Sequence, residues 1–186
     1  RIPHRIPESM LWRLQEAAAR GRTPILVPLL RFAVETAMRR GELLALQWNH
    51  INLETQLLHI PETKNNCPRT IPPTPAATEI LLSLDRTKED CRVFPTTASA
   101  VAQCWRRLVR RAGLTGVRFH DLRHEAVSRL FELGLSMPEV ALISGHKDHR
   151  MLMHYTHLRP ETLARKLNPT CAGEPKRPAH LHLIGR

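Results

Sequence analysis

The sequence predicts a mainly helical α+β domain that carries one small antiparallel sheet. Three observations support this. Apolar residues recur at helical spacing through most of the chain, as in Leu26, Leu29, Leu30, Ala33, Val34 and Ala37. One stretch, 52–75, breaks that period with two short strand-like runs separated by turn formers. The length, 186 residues at 42% hydrophobic and 24% charged, suits a single domain with a sizeable core.

Taken in order, Ser9 can cap a first helix over 10–20, which Gly21 stops. Pro24 opens the second helix, and a short third follows over 41–47. Leu57-Leu58-His59-Ile60 and Arg69-Thr70-Ile71 read as two strands with Asn65-Asn66 turning between them. Pro68, Pro72 and Pro73 make this an edge sheet rather than a buried one. Helices are expected again over 76–85, 99–112, 121–133, 137–144 and 161–166. Gly134 is placed to stop the helix before it, and Ser136 with Glu139 has the pattern of a capping box for the next. Beyond 167 the composition turns to Pro, Gly, His and basic residues, so the domain is assigned to 1–167 and an extended tail to 168–186.

Charge narrows the partner. Lys and Arg number 28 against 17 acidic residues, a net charge of +11, which in a compact domain favours a polyanion such as nucleic acid. A membrane surface is disfavoured, because only 4% of the chain is aromatic and its most apolar stretch, 25–34, contains Pro28 and Arg31. Cys67, Cys91, Cys104 and Cys171 share no CxxC spacing, which points to reduced thiols; with no signal peptide at 1–7, the expected compartment is the cytoplasm.

Four clusters carry chemistry: Arg39-Arg40-Gly41-Glu42; Thr63-Lys64 in the turn before Arg69; His120-Asp121-Leu122-Arg123-His124; and Ser144-Gly145-His146, followed by Tyr155 in His154-Tyr155-Thr156-His157. Breaking a phosphodiester requires transition-state charge to be spread onto fixed cations, and arginine's planar, permanently charged fork suits that task. His120 and Arg123 are three apart, so on a helix they can meet one phosphate. Tyr155 is the only tyrosine in the chain. A phenol with a pKa of about 10 is ionised in only about one molecule in a thousand at pH 7, so it needs a base, and His120 is the candidate.

In that order and spacing the clusters resemble the signature of the tyrosine recombinase (phage integrase) family: an Arg followed three residues later by an acid, a turn Lys, His-x-x-Arg, Gly-His and a Tyr. The resemblance runs from about 24 to about 167 and implies the catalytic-domain fold of that family. It implies Tyr155 as nucleophile, Arg39, Lys64, His120, Arg123 and His146 as catalytic partners, and Glu42 as a support that orients Arg39 or its helix. Lys64 would protonate the leaving 5′-oxygen and His146 would donate a hydrogen bond. The implied product is a 3′-phosphotyrosyl bond, whose energy permits religation without ATP, metal or other cofactor. Implied partners are double-stranded DNA, three further copies in a homotetramer on synapsed sites, and accessory DNA-bending proteins, with the protein on the nucleoid when bound. The 132–140 stretch favours mobile-element integrases or plasmid DNA invertases.

Two departures stand out. The family commonly has Gly where Ala37 stands, and Leu where Ser144 stands. The helical core-binding domain that precedes the catalytic domain in the family is not supplied by 1–24, so the chain is expected to be part of a longer enzyme. Arg40, Arg69, Arg106, Arg107, Arg110, Arg111 and His124 are candidate DNA contacts, although the four α-helical arginines at 106–111 equally suit a solvated face. Trp12, Trp48 and Trp105 are expected in the core. His146, His149, His154 and His157 form two HxxH pairs, but no carboxylate backs them and no metal is assigned. The rival readings are a type IB topoisomerase, disfavoured by the Gly-His and its short separation from Tyr155; a DNA-binding module without activity; and a metal-dependent nuclease.

Overall fold

In a computed structural model, residues 5–21, 23–61, 67–86 and 90–155 are described. They form α1 (Glu8–Ala19), α2 (Leu26–Thr36), α3 (Arg40–Ala45), a 3₁₀ turn (Trp48–His50), β1 (Ile51–Asn52), β2 (Leu57–Ile60), β3 (Arg69–Ile71), α4 (Pro75–Ser83), α5 (Ala98–Arg111), α6 (Asp121–Glu132), α7 (Met137–Ser144) and α8 (Arg150–Met153). The expected helix over 161–166, and with it the tail, lies outside the described residues.

The chain is organised around α2, which packs against α1, α4 and α6. Its broad apolar face is the reason: Leu29, Leu30, Phe32, Ala33 and Val34 are all buried, and Phe32 meets Phe94 with ring centroids 5.4 Å apart. Burying each of the large side chains contributes about 1.5–3 kcal/mol. The sheet has three antiparallel strands in the order β1-β2-β3, with Leu58 opposite Ile71 and Ile60 opposite Arg69. Its inner face, with Leu58, Ile60 and Ile71, joins the main core, so the prolines flank a half-buried sheet rather than an exposed edge. A second, smaller core of Ala37, Ala126, Val127, Leu130, Val140, Ala141, Leu152 and Tyr155 lies where α6, α7 and α8 meet the end of α2.

Several boundaries differ from the sequence reading. The N-cap of α1 is Pro7 and not Ser9, which falls inside the helix. β1 and α8 were not expected; two and four residues long, they are too short to show a period. Trp12 is 60% exposed, a correction to its expected place in the core, whereas Trp105 is buried with its indole N–H donating to Val117 O at 3.1 Å. On α5, Val101, Trp105 and Leu108 face inward.

The turn out of α2 sets up the site. Ala37 adopts the left-handed conformation, φ 53° and ψ 19°, with its methyl fully buried. That backbone costs an alanine about 1–2 kcal/mol. Glycine would remove the strain, lose about 0.8 kcal/mol of methyl burial and add about 0.4–1 kcal/mol of unfolded-chain entropy. The contributions nearly cancel, so Ala37→Gly should change stability by less than about 1 kcal/mol. Ala37→Val, branched and overpacked there, should cost about 3 kcal/mol. Urea midpoints measure both, and a valine variant as stable as the parent would refute the strained corner.

Candidate active site

The site grows from that corner. Arg39 is the N-cap of α3, in extended backbone, and its N–H donates to Glu42 Oε2 at 2.8 Å. Its guanidinium reaches Glu42 Oε1 and Gly145 O, both at 3.2 Å. Arg69, on β3, forks onto the same carboxylate, Nη1 to Oε1 at 3.0 Å and Nη2 to Oε2 at 2.9 Å, and its Nε donates to Ile143 O at 3.0 Å. One buried carboxylate thus ties α3, β3 and the end of α7 together. Burial alone would raise the Glu42 pKa, but the Arg69 fork and the Arg39 N–H outweigh it and hold the pKa at about 2. Arg69 was expected to face DNA; the structure turns it inward, 8% exposed, as the counter-ion of Glu42.

His120 precedes α6, and Arg123 and His124 lie in its first turn. Asp121, buried, accepts from Arg118 N at 2.8 Å and fixes the entry to the helix. Arg123 is 4% exposed, and its Nη1 donates to Ala37 O at 2.5 Å, so the strained corner aims the guanidinium. Its Nη2 lies 3.4 Å from both ring nitrogens of His146. Burial, and then the nearby Arg39, lower the Arg123 pKa to about 9, which still leaves a cation at neutral pH. α7 is capped by Gly145, whose left-handed φ of 70° turns the chain so that His146 faces Arg123.

Tyr155 lies 9% exposed in the second core, stacked between His124 (centroids 5.9 Å apart, 24°) and Phe131 (6.5 Å, 15°). Its hydroxyl meets Nδ1 of His124. His120 packs edge-to-face on His124, with centroids 4.9 Å apart. Among the described residues, then, the ring nitrogen in contact with the phenol belongs to His124, and His120 stands behind it. Sequence reasoning had placed His124 among the DNA contacts. The i,i+4 spacing of His120 and His124 could have signalled their pairing, but nothing local indicated which of them faces Tyr155.

All three histidines are held neutral. His120 is exposed, yet partial desolvation, then His124 and Arg123, lower it to about 4. Burial, then Arg123 and Arg39, bring His146 to about 3. His124 is also lowered, mainly by burial. Tyr155 is pushed up to about 12 by burial, against the pull of Arg123.

The structure therefore brings together Arg39, Glu42, His120, Arg123, His146 and Tyr155, with His124, Arg69 and Ser144 as neighbours that sequence alone did not place there. Lys64 lies outside the described residues. Arg40 is exposed beside Arg39. Arg106, Arg107 and Arg110 line a shallow polar pocket with Gln103 on the outer face of α5. Arg111 differs: its guanidinium donates to Ala17 O at 3.1 Å, joining the end of α5 to the last turn of α1. Among the described residues, no group of three or more His, Cys, Asp or Glu could hold a metal ion, and no helix is long and apolar enough to cross a membrane.

Known proteins share this fold. The model of the phage integrase family matches residues 8–162. A shufflon-specific DNA recombinase of Escherichia coli is 45% identical over 145 residues, covering 77% of this chain and 38% of the relative. The integrase of Salmonella phage P22 is 26% identical over 153 residues, 73% of this chain and 40% of the relative. The chain thus spans less than half the length of these two relatives. Among solved structures, the catalytic domain of bacteriophage HP1 integrase superposes with a TM-score of 0.70 at 25% identity, covering 89% of this chain and 95% of that domain. The Tn1549 transposon integrase, solved with a circular intermediate DNA, shares the fold with a TM-score of 0.74 at 14% identity, covering 90% of this chain and 66% of that one.

Proposed function

The chain belongs to the phage integrase family, and from that premise we propose that it is the strand-breaking and rejoining domain of a site-specific DNA recombinase. The observation that carries the proposal is the convergence of Arg39, Arg123 and His146 on one side of α6 with the Tyr155 hydroxyl on His124 of the same helix. Two arginines and a ring of neutral imidazoles suit a bound phosphate, and a phenol beside a neutral imidazole suits a nucleophile awaiting deprotonation.

In this reading Arg39 and Arg123 bind the non-bridging oxygens of the scissile phosphate, and His120 and His146 complete its surroundings. Tyr155 Oη attacks phosphorus, its proton passes to His124, and the bond to the 5′-oxygen breaks. Lys64 is assigned the proton that makes the leaving group a 5′-hydroxyl. Another strand's 5′-hydroxyl reverses the step, so no nucleotide cofactor is consumed. Glu42 takes no part in the chemistry and holds Arg39 in place. Double-stranded DNA is the substrate, a homotetramer on two synapsed sites is the working assembly, accessory DNA-bending proteins are compatible partners, and the setting is the cytoplasm with the protein on the nucleoid.

The test is direct. The protein is mixed with supercoiled plasmid in EDTA, quenched with SDS, and assayed for a covalent protein–DNA adduct mapped to Tyr155. An adduct supports metal-independent tyrosine attack; DNA binding without an adduct favours a silent binding module, and cleavage that EDTA abolishes favours a nuclease. The exposed arginines of α5 give a second expectation. Replacing Arg106, Arg107 and Arg110 with Gln should make the log–log salt dependence of DNA affinity shallower by about 0.9 for each phosphate that the arginines neutralise. An unchanged slope would assign that face to solvent.

A further inference from the structure

Ser144, the last residue of α7, is fully buried, and its hydroxyl has two neighbours. The hydroxyl donates to Val140 O at 2.5 Å, and Oγ lies 2.7 Å from Nδ1 of His146. A hydroxyl has one proton. Two oxygens 2.5 Å apart require that proton between them, because the carbonyl can only accept. Oγ is then left with lone pairs facing the imidazole, and Nδ1 must supply the hydrogen of the second bond. In a neutral ring this leaves Nε2 bare, while Nη2 of Arg123, 3.4 Å from both ring nitrogens, lies against the face of the ring.

We infer that Ser144 is a positioning residue that fixes His146 as its Nδ1–H tautomer, with Nε2 bare, and so holds the face of the ring against Arg123. The donors then run in one direction, from His146 to Ser144 and from Ser144 to the Val140 carbonyl. With Nη1 on Ala37 O, the Arg123 guanidinium is held from two sides. His146 can donate from Nε2 to a phosphate only after gaining a second proton, so in the free protein its task is to orient Arg123. A leucine at this position, as the family commonly carries, offers no acceptor; the device depends on this chain's serine. The consequence for cleavage rests on the recombinase reading, but the tautomer does not.

Long-range ¹H–¹⁵N correlation of the histidine rings in the free 186-residue chain reads the tautomer without DNA. In the parent protein, His146 should show a protonated Nδ1 and a bare Nε2. Ser144→Ala should shift the proton toward Nε2, and Ser144→Thr, which keeps the hydroxyl, should restore the parent pattern. The amide spectrum of each variant shows whether it is folded, and alanine is an easy fit at a helix end. An Nε2–H ring in the parent, or an alanine variant with an unchanged tautomer, would overturn the inference. On plasmid DNA, adduct formation should slow about tenfold in Ser144→Ala, one hydrogen bond's worth of positioning, and recover in Ser144→Thr. An alanine variant that reacts at the parent rate would refute the positioning role. A parent protein that forms no adduct would count against the recombinase reading and leave the tautomer to the spectra.

Discussion

Tyr155→Phe should abolish the covalent adduct, a loss of at least about a thousandfold, while leaving the fold nearly unchanged. The ring supplies packing: Tyr155 stacks between His124 and Phe131 in a core with Ala126, Val127 and Leu152, and phenylalanine keeps all of that. The hydroxyl contributes one hydrogen bond to a half-buried His124, and its loss costs about 1 kcal/mol. Alanine would be the wrong probe, since removing the ring from this core costs about 3–5 kcal/mol and confounds chemistry with unfolding.

The same geometry predicts a pH profile. With Tyr155 at about 12, only about one phenol in 10⁵ is ionised at pH 7, and the deficit corresponds to about 7 kcal/mol. If deprotonation came from solvent, cleavage would rise roughly tenfold per pH unit through the whole accessible range. If His124 takes the proton, the rate levels off above the imidazole's own pKa, which burial has lowered from 6.5. The parent should therefore plateau from about pH 6.5 upward, and His124→Gln should restore a rising line at a lower rate. A parent profile that climbs without levelling would assign the deprotonation to solvent and remove His124 as the base.

How much of this was legible in the sequence depends on the range of the interaction. The helices were, because α2 and α5 write their burial at a period that a one-dimensional reading detects. The motif residues were, because each chemical requirement selects one residue type. What escaped were interactions made across the chain. Arg69 and Glu42 are 27 positions apart, and only the packing of β3 against α3 and α7 turns the arginine inward. His124 and Tyr155 are 31 apart, and their meeting depends on α7 and α8 returning the chain to α6. Arg111 looks identical to its three neighbours until α1 presents a carbonyl to it. Ala37 was visible as a departure from a common glycine, but its consequence, a left-handed backbone under a buried methyl, required coordinates.

Glu42→Ala should be strongly destabilising, at about 3–5 kcal/mol, because it leaves Arg69 buried without its counter-ion. The lowered pKa of Glu42 gives a second figure of similar size. The Glu42 carboxyl falls from an ordinary 4.5 to about 2 in the fold, a difference on the order of 3 kcal/mol. Because the folded pKa is depressed, this stabilisation is complete above 4.5 and is lost as the pH falls toward 2. The neutral histidines act in a higher window: the unfolded chain protonates them below 6.5, while the folded one resists down to about 3 or 4. Both effects weaken the fold in acid, and a comparison of variants separates them. The histidines are common to the parent and to Glu42→Gln, so they cancel in the difference. Urea unfolding between pH 7 and 3 should show the parent's advantage over Glu42→Gln constant down to about pH 4.5 and shrinking below it. A difference that stays flat to pH 3 would mean that the carboxylate does not carry the stabilisation. The adduct assay should follow in the same order, since without the negative charge of Glu42 nothing offsets the mutual repulsion of Arg39, Arg69 and Arg123, and the two arginines proposed to grip the phosphate would be driven apart.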